Sequence, residues 1–302
     1  MTFTINRRDF IRHTTLATSG LVLSDSVFAA PGDITFGYAA ITWQGQDRQA
    51  IDDVAAVGFK GIQLRASVLT EFGDRPAVLK ALLAERGIAM VCLSSGNVRI
   101  EPEFEADDLA THTRNARFVR DAGGQFLQLI DSRPKRALVA ADYVRMGRLI
   151  NEIGKRTADI GVPVVYHHHM NSVGERPDEI DRVLDKVDPR HVKLLLDVAH
   201  YQQGGGDPVA AVRKYADRIS LLHIKDLQSP LPGNTGDPMR SYRFVELGRG
   251  QVDLKGVFAA LAQVKYRGWA IVELDAVPDK ARTPKASAII AKRYLEALGF
   301  TV

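Results

Sequence analysis

Four short apolar runs in the second half of this 302-residue chain each end in groups able to hold a metal or move a proton. They are Val164-Val165-Tyr166-His167-His168-His169, Leu194-Leu195-Leu196-Asp197-Val198-Ala199-His200, Leu221-Leu222-His223-Ile224-Lys225-Asp226 and Ala270-Ile271-Val272-Glu273-Leu274-Asp275. Residues two apart on a β-strand share a face. That spacing pairs His167 with His169, His223 with Lys225 and Glu273 with Asp275, and turns His168 the other way. If the four ends meet, His167, Asp197, His223 and Glu273 offer imidazole nitrogen and carboxylate oxygen to one divalent cation, such as Mn2+, Co2+, Mg2+ or Zn2+. Positions stay open for substrate oxygens. The lone cysteine, Cys92, excludes a thiolate cluster and an intramolecular disulfide, so any metal rests on histidines and carboxylates.

A single strand-end histidine is ordinarily a hydrogen-bonding residue, because imidazole can be satisfied at both nitrogens. His168 reads that way, and His200 reads so or as a substrate contact. His112, in a helical pattern, and His191, in a connection, read as surface residues. The repeated step from apolar run to Asp197, His223 and Glu273 points to a metal. Lys225 could bind a substrate hydroxyl, stabilise an oxyanion, or be a charged rim residue. Glu246, in Glu246-Leu247-Gly248-Arg249-Gly250, could reach the site or hold its own loop. Gly248 and Gly250 suit a tight turn, since no strand-to-helix phosphate loop surrounds them.

Something must bring these strand ends together. From Ile34 on, the pattern predicts strands over 34–43, 61–66, 88–94, 125–130, 162–167, 192–197, 219–224 and 269–273. Helical patterns are predicted between and after them, over 49–57, 76–85, 107–122, 142–160, 178–187, 208–215, 254–264 and 287–298. Glycines at 58, 87, 123, 161 and 268 punctuate the units. Eight alternating pairs with no linker predict an α/β fold, a single (β/α)8 TIM barrel over residues 31–302. Its C-terminal strand ends form one rim, where such barrels build their sites. A doubly wound open sheet is the alternative, but no Gly-x-Gly-x-x-Gly follows the first strand. The segment 228–249 reads as a long loop over the barrel mouth.

The first thirty residues read as an address. Asn6-Arg7-Arg8-Asp9-Phe10-Ile11-Arg12, an apolar stretch over 14–23 too short to span a bilayer, and Val27-Phe28-Ala29-Ala30 resemble a bacterial twin-arginine signal peptide. The expectation is a leader over residues 1–30, which takes in His13, and a periplasmic mature protein; a basic extension without targeting value is the alternative. The 45% hydrophobic and 25% charged composition is that of a folded domain rather than a disordered chain. Forty basic against 36 acidic residues, without a basic run, give no nucleic-acid footprint.

The stretch 161–275 resembles the xylose isomerase-like barrels known as sugar phosphate isomerases/epimerases, and within them the inosose dehydratase-like branch. The residues that carry the likeness include Tyr166-His167-His168-His169-Met170, Leu196-Asp197-Val198-Ala199-His200, Gly205-Gly206-Asp207-Pro208, Tyr215-Ala216-Asp217-Arg218-Ile219 and His223-Ile224-Lys225-Asp226. Glu246-Leu247-Gly248-Arg249-Gly250-Gln251-Val252-Asp253, Tyr266-Arg267-Gly268-Trp269 and Glu273 complete it. The resemblance implies one divalent metal at four strand ends and a carbohydrate or cyclitol substrate that loses a proton beside its carbonyl. It maps Asp197, His223 and Glu273 onto ligand positions, and puts His167 where the epimerases have their first glutamate. His167 is then a ligand or an acid/base, with His169 a competing candidate for either role. Gln63 stands where relatives often have an acid. Dehydratase or lyase chemistry is the leading expectation. Ketose isomerisation or epimerisation, elimination from a 3-keto-glycoside, and a non-catalytic sugar-binding role are the alternatives.

Overall fold

The apolar runs become eight parallel strands, and the computed structural model describes residues 34–302. The strands are β1 Ile34–Ala39, β2 Gly61–Arg65, β3 Ala89–Val98, β4 Phe126–Asp131, β5 Val164–His167, β6 Val192–Asp197, β7 Ile219–Ile224 and β10 Gly268–Val272. They close into a barrel in the order β1-β10-β7-β6-β5-β4-β3-β2, the single (β/α)8 barrel expected. The leader expected over residues 1–30 lies outside the described residues.

Eight principal helices follow the strands: α1 Asp47–Val57, α3 Pro76–Glu85, α4 Glu105–Asp121, α5 Ala140–Ile160, α6 Pro177–Leu184, α8 Pro208–Lys214, α9 Leu254–Gln263 and α10 Pro284–Ala297. Two short ones, α2 Leu69–Phe72 and α7 Val198–Gln203, lie between them. Helix α5 buries Tyr143, Met146, Leu149, Ile150, Ile153 and Thr157, the i, i+3, i+4, i+7 stripe of a helix laid on a sheet. It ends at Gly161, whose φ of 89° closes the last turn. Helices α6 and α10 start earlier than their apolar period suggests. Pro177 and Pro284 occupy the first helical turn, where a missing N–H costs nothing.

Inside the barrel the chain sorts by alternation. Val91, Val165, Leu195, Leu221 and Ile271 are fully buried in one inner cluster, with Trp269 packed against it. Two glycines make room for this plug. A Cβ on Gly61 would sit 2.4 Å from Val91 Cγ2 and 2.7 Å from Trp269 Cζ3, and one on Gly37 would sit 2.7 Å from Ile271 Cδ1. Two residues further along the same strands come Gln63, His167, Asp197, His223 and Glu273, so a polar layer rests on an apolar one.

Besides α2, α7 and the 3-10 turn Ala40–Trp43 that ends the first expected strand at Ala39, the structure departs from the sequence pattern at two connections. Strand β3 runs past residue 94 to Val98 through a register shift between Ser94 and Asn97. The expected loop 228–249 contains most of an antiparallel hairpin, β8 Asp226–Gln228 with β9 Arg243–Val245. The Asp226 carboxylate organises its return by accepting the amides of Leu227, Gly248, Gly250 and Val252 at 2.9–3.1 Å. The glycine pair therefore serves a turn around a carboxylate.

Because Gly61 faces Val91 and Trp269, Gly61→Ala should destabilise the barrel by about 1–3 kcal/mol through overpacking. A urea unfolding midpoint indistinguishable from wild type would show that the inner layer has room to spare.

Candidate active site

Asp197 closes β6 and caps α7. Its Oδ1 accepts the amides of Ala199 (2.9 Å) and His200 (2.8 Å), which satisfies that oxygen and turns Oδ2 toward the barrel axis. His168, on the outward side as predicted, accepts the Asp197 amide at Nε2 (3.2 Å) and braces the same strand end. On β7, His223 donates from Nε2 to Gln63 Oε1 (3.0 Å), which leaves Nδ1 facing Asp197 Oδ2 at 3.4 Å and Glu273 Oε2 at 3.5 Å. Glu273 extends β10 by one ladder bond, its amide donating to Ile224 O (3.1 Å). His167 closes β5 with its ring centroid 4.7 Å from that of His223.

Four atoms in this group are buried without a hydrogen-bond partner among the described residues: His168 Nδ1 on the outward side, and His167 Nδ1, Asp197 Oδ2 and His223 Nδ1 from the inward set. Buried polar atoms are rarely left unpaired, so the convergence of the inward three needs an explanation. Donor separations near 3.4 Å are what a cation bound at about 2.0–2.2 Å to each would span. The ligating atoms of His167, Asp197, His200 and Glu273 also lie within 4.8 Å of one another. The residues fit a divalent metal.

The charges agree with that fit. Burial alone would raise the Asp197 carboxyl, but Lys225 and His223 outweigh it and bring it to about 2. Glu273 is likewise lowered, burial opposing and His223 and Lys225 prevailing. Burial, reinforced by His223 and the other neighbouring imidazoles, pushes His167 well below its ordinary value. It is therefore a neutral imidazole, ready to ligate without first losing a proton. Burial lowers His169 as well, with Lys225 second. Its Nδ1 donates to Met170 O (2.7 Å), which leaves Nε2 as the free base.

One expectation needs correction, one of two readings is selected for Glu246, and His200 moves. Lys225 is not a rim charge or an open substrate contact. It is fully buried, with Nζ 3.0 Å from Glu273 Oε1, 2.5 Å from Asp275 Oδ1 and 3.8 Å from the centre of the Phe244 ring. Burial would lower its pKa, but Asp275, Glu273 and Asp197 raise it, so it stays an ammonium and positions carboxylates. Glu246 faces away from the cavity, accepts a hydrogen bond from Ser287 Oγ (3.1 Å) and forms an ion pair with Arg282 (Nε at 3.0 Å), tying its loop to α10. His200 is not a strand-end residue: it occupies the first turn of α7, with its Nε2 3.4 Å from Lys225 Nζ.

A cavity of about 450 Å3 opens above the polar layer, lined by His167, His169, Glu273 and Asp275 on one side. Gln63, Arg65, Ser67, Ser94, Asn97 and Gln128 line it from the N-terminal strands. These residues carry no motif, and only period two on β2 and β4 could have pointed to them. Gln63 does two jobs: its Oε1 orients His223, and its Nε2 donates to Gln128 Oε1 (2.8 Å). His112, expected at the surface, is buried, because its Nδ1 hydrogen-bonds Ser95 Oγ (2.7 Å) beneath the β3 bulge. Asn115 donates to the same Ser95 oxygen (2.9 Å), so α4 holds the cavity wall formed by Ser94 and Asn97.

Residues 51–297 match the model of the xylose isomerase-like TIM barrel family. The chain belongs to that family. Its similarity to curated relatives includes inosose dehydratase of Lacticaseibacillus casei, 28% identical over 293 residues that span 87% of this chain and 97% of that protein. Inosose dehydratase of Clostridium tetani is 28% identical over 298 residues, spanning 87% of this chain and 96% of that one. Among solved structures, the IolI protein with a binding zinc atom superposes with a TM-score of 0.73 at 15% identity, covering 87% of this chain and 97% of that one. The probable 3-DHS dehydratase AsbF of Bacillus anthracis gives 0.69 at 15% identity, over 89% and 100%. At those identities the two structures establish that this xylose isomerase-like barrel shares their fold.

Asp197→Asn keeps the α7 cap but removes the charge, and it should abolish retention of Mn2+ through gel filtration while circular dichroism stays native. Gln63→Leu removes the acceptor that orients His223 and should weaken Mn2+ binding about 10–100-fold by calorimetry. Wild-type affinity in the second variant would take Gln63 out of the metal's support.

Proposed function

We propose that this protein is a divalent-metal-dependent dehydratase of a keto-sugar or keto-cyclitol. As a member of its family it is a sugar-processing enzyme of the lyase or isomerase type, and the inosose dehydratases similar to it favour the lyase. The observation that carries the reading is the set of unpartnered buried donors, His167 Nδ1, Asp197 Oδ2 and His223 Nδ1, beside Glu273 at the floor of a polar cavity. Only one of the residues expected to trade protons across the substrate is a glutamate, which disfavours epimerisation by two carboxylates.

A bound divalent cation would supply Lewis acidity, lowering the cost of negative charge as a C–H bond beside a ketone ionises. His167, Asp197, His223 and Glu273 would hold it. The base is His169. It lines the cavity, its Nδ1–H is committed to Met170 O, and its lowered pKa keeps Nε2 unprotonated near neutrality. Nε2 takes the proton next to the ketone and, as imidazolium, returns it to the hydroxyl that leaves the neighbouring carbon. One C–H and one C–O bond break, a C=C bond forms, water departs and the imidazole is neutral again. Lys225 stays protonated throughout and keeps Glu273 and Asp275 in place. The same reading puts the mature enzyme in the periplasm; its support is Arg7-Arg8, the apolar stretch and Ala29-Ala30.

A proton NMR time course in D2O, with the Mn2+-loaded protein and 2-keto-myo-inositol or a 3-keto-glycoside, tests the chemistry. Deuterium entry next to the ketone with loss of water is expected, and a chelator should stop it. Loss of an aglycone would make the enzyme an eliminase of keto-glycosides, and exchange without elimination would make it an isomerase or epimerase. His169→Ala should retain Mn2+ and slow exchange at least 100-fold.

A further inference from the structure

Arg65 stands two residues beyond Gln63 on the inner phase of β2, and β2 lies across the closed barrel from β6, the strand that ends in Asp197. The cavity therefore has two chemically different ends. At one end His167 and His169 come from β5, three strands from β2 around the barrel, and Glu273 and Asp275, tied to Lys225, stand at the side, with only β1 between β10 and β2. At the other, Arg65 is exposed among Ser67, Ser94 and Asn97 and is the one Lys or Arg side chain lining the cavity among the described residues. Among the described residues it forms no ion pair within 4.0 Å, unlike Arg48, Arg133, Arg136 and Arg240, each of which pairs with a carboxylate. Asp47 feels Arg65 electrostatically, yet its Oδ2 is taken by the Ser67 hydroxyl at 3.0 Å. A guanidinium carries a permanent charge and a planar fork of donors matched to carboxylate or phosphate.

We propose that Arg65 binds an anionic group on the substrate, at the end of the molecule opposite the one that undergoes chemistry. This rests on the dehydratase reading and narrows it to an acidic keto-sugar or keto-cyclitol, bearing a carboxylate or a phosphate ester. The neighbouring Ser94 and Asn97, held by the Ser95–His112–Asn115 contacts, offer hydroxyl and amide groups to the sugar between the two ends. The anion would also orient the substrate, so that only one of its faces meets His169.

The test is calorimetric titration of the Mn2+-loaded full-length mature protein with D-gluconate, D-sorbitol 6-phosphate and neutral D-sorbitol, against wild type and Arg65→Gln. The wild type should bind at least one of the two anions about 10-fold more tightly than sorbitol. In Arg65→Gln that preference should vanish while sorbitol affinity and Mn2+ content are unchanged, and Arg65→Lys should restore part of it. Preference for gluconate alone identifies a sugar acid, and preference for the phosphate alone a sugar phosphate. Equal binding of all three polyols by wild type overturns the role of Arg65 and leaves the dehydratase reading standing. Preference that survives in Arg65→Gln also overturns it, since the anion then sits on the metal. If no polyol binds protein that holds its Mn2+, this proposal and the keto-sugar reading fall together.

Discussion

Three carboxylates and a cluster of imidazoles share the floor of this barrel with one ammonium, and the arrangement depends on that ammonium. Lys225 has no solvent exposure, yet it carries charge, because Asp275, Glu273 and Asp197 surround it and the Phe244 ring covers it. A buried charge is tolerated only where opposite charge compensates its lost hydration. The reverse holds as well: Asp197 and Glu273 raise each other's cost of ionisation, and Lys225 offsets it. The anionic donors are thus ready before any metal arrives. Their neighbours His167 and His200 are held well below the ordinary histidine value by burial first, then by the surrounding imidazoles, with that same positive charge adding to the effect.

The barrel supplies what these groups cannot supply for themselves, a fixed separation. Each donor follows an apolar residue two positions earlier, and those residues pack into a plug that Gly37 and Gly61 leave room for. The height of the polar layer is therefore set by side chains that do no chemistry. Gln63 links the halves of the site, hydrogen-bonding His223 across the barrel and Gln128 beside it.

Much of this was legible in the sequence, for physical reasons. The strands over 192–197 and 219–224 coincide with β6 and β7, since uninterrupted Leu-rich runs bounded by turns have few other ways to be buried. The inward set at His167, Asp197, His223 and Glu273 follows from period two alone. What period two could not give was partnership. Whether Lys225 lies at a rim or in a salt-bridge nest depends on Asp275 and on Phe244, a ring carried by a hairpin that left no strong alternation. Likewise, His112 looked exposed because α4 is rich in charge, while its actual partner, Ser95, belongs to a bulge that shifts register. The α7 helix escaped notice because the Asp197 signal for a strand end is also a helix cap.

The hairpin carries a consequence of a different kind. Asp226 clasps four amides that bracket residues 228–247, so both feet of that excursion are pinned to one carboxylate immediately after Lys225. Between the feet, Phe244 still reaches the floor and covers Lys225, while the outer part of the excursion lies beyond that contact. Insertions or deletions between Pro230 and Arg240 fall outside the Phe244 contact with Lys225, and lengthening such a surface loop costs little closure entropy. The outer excursion can therefore change in length while the charge arrangement on the floor keeps its footing on Asp226.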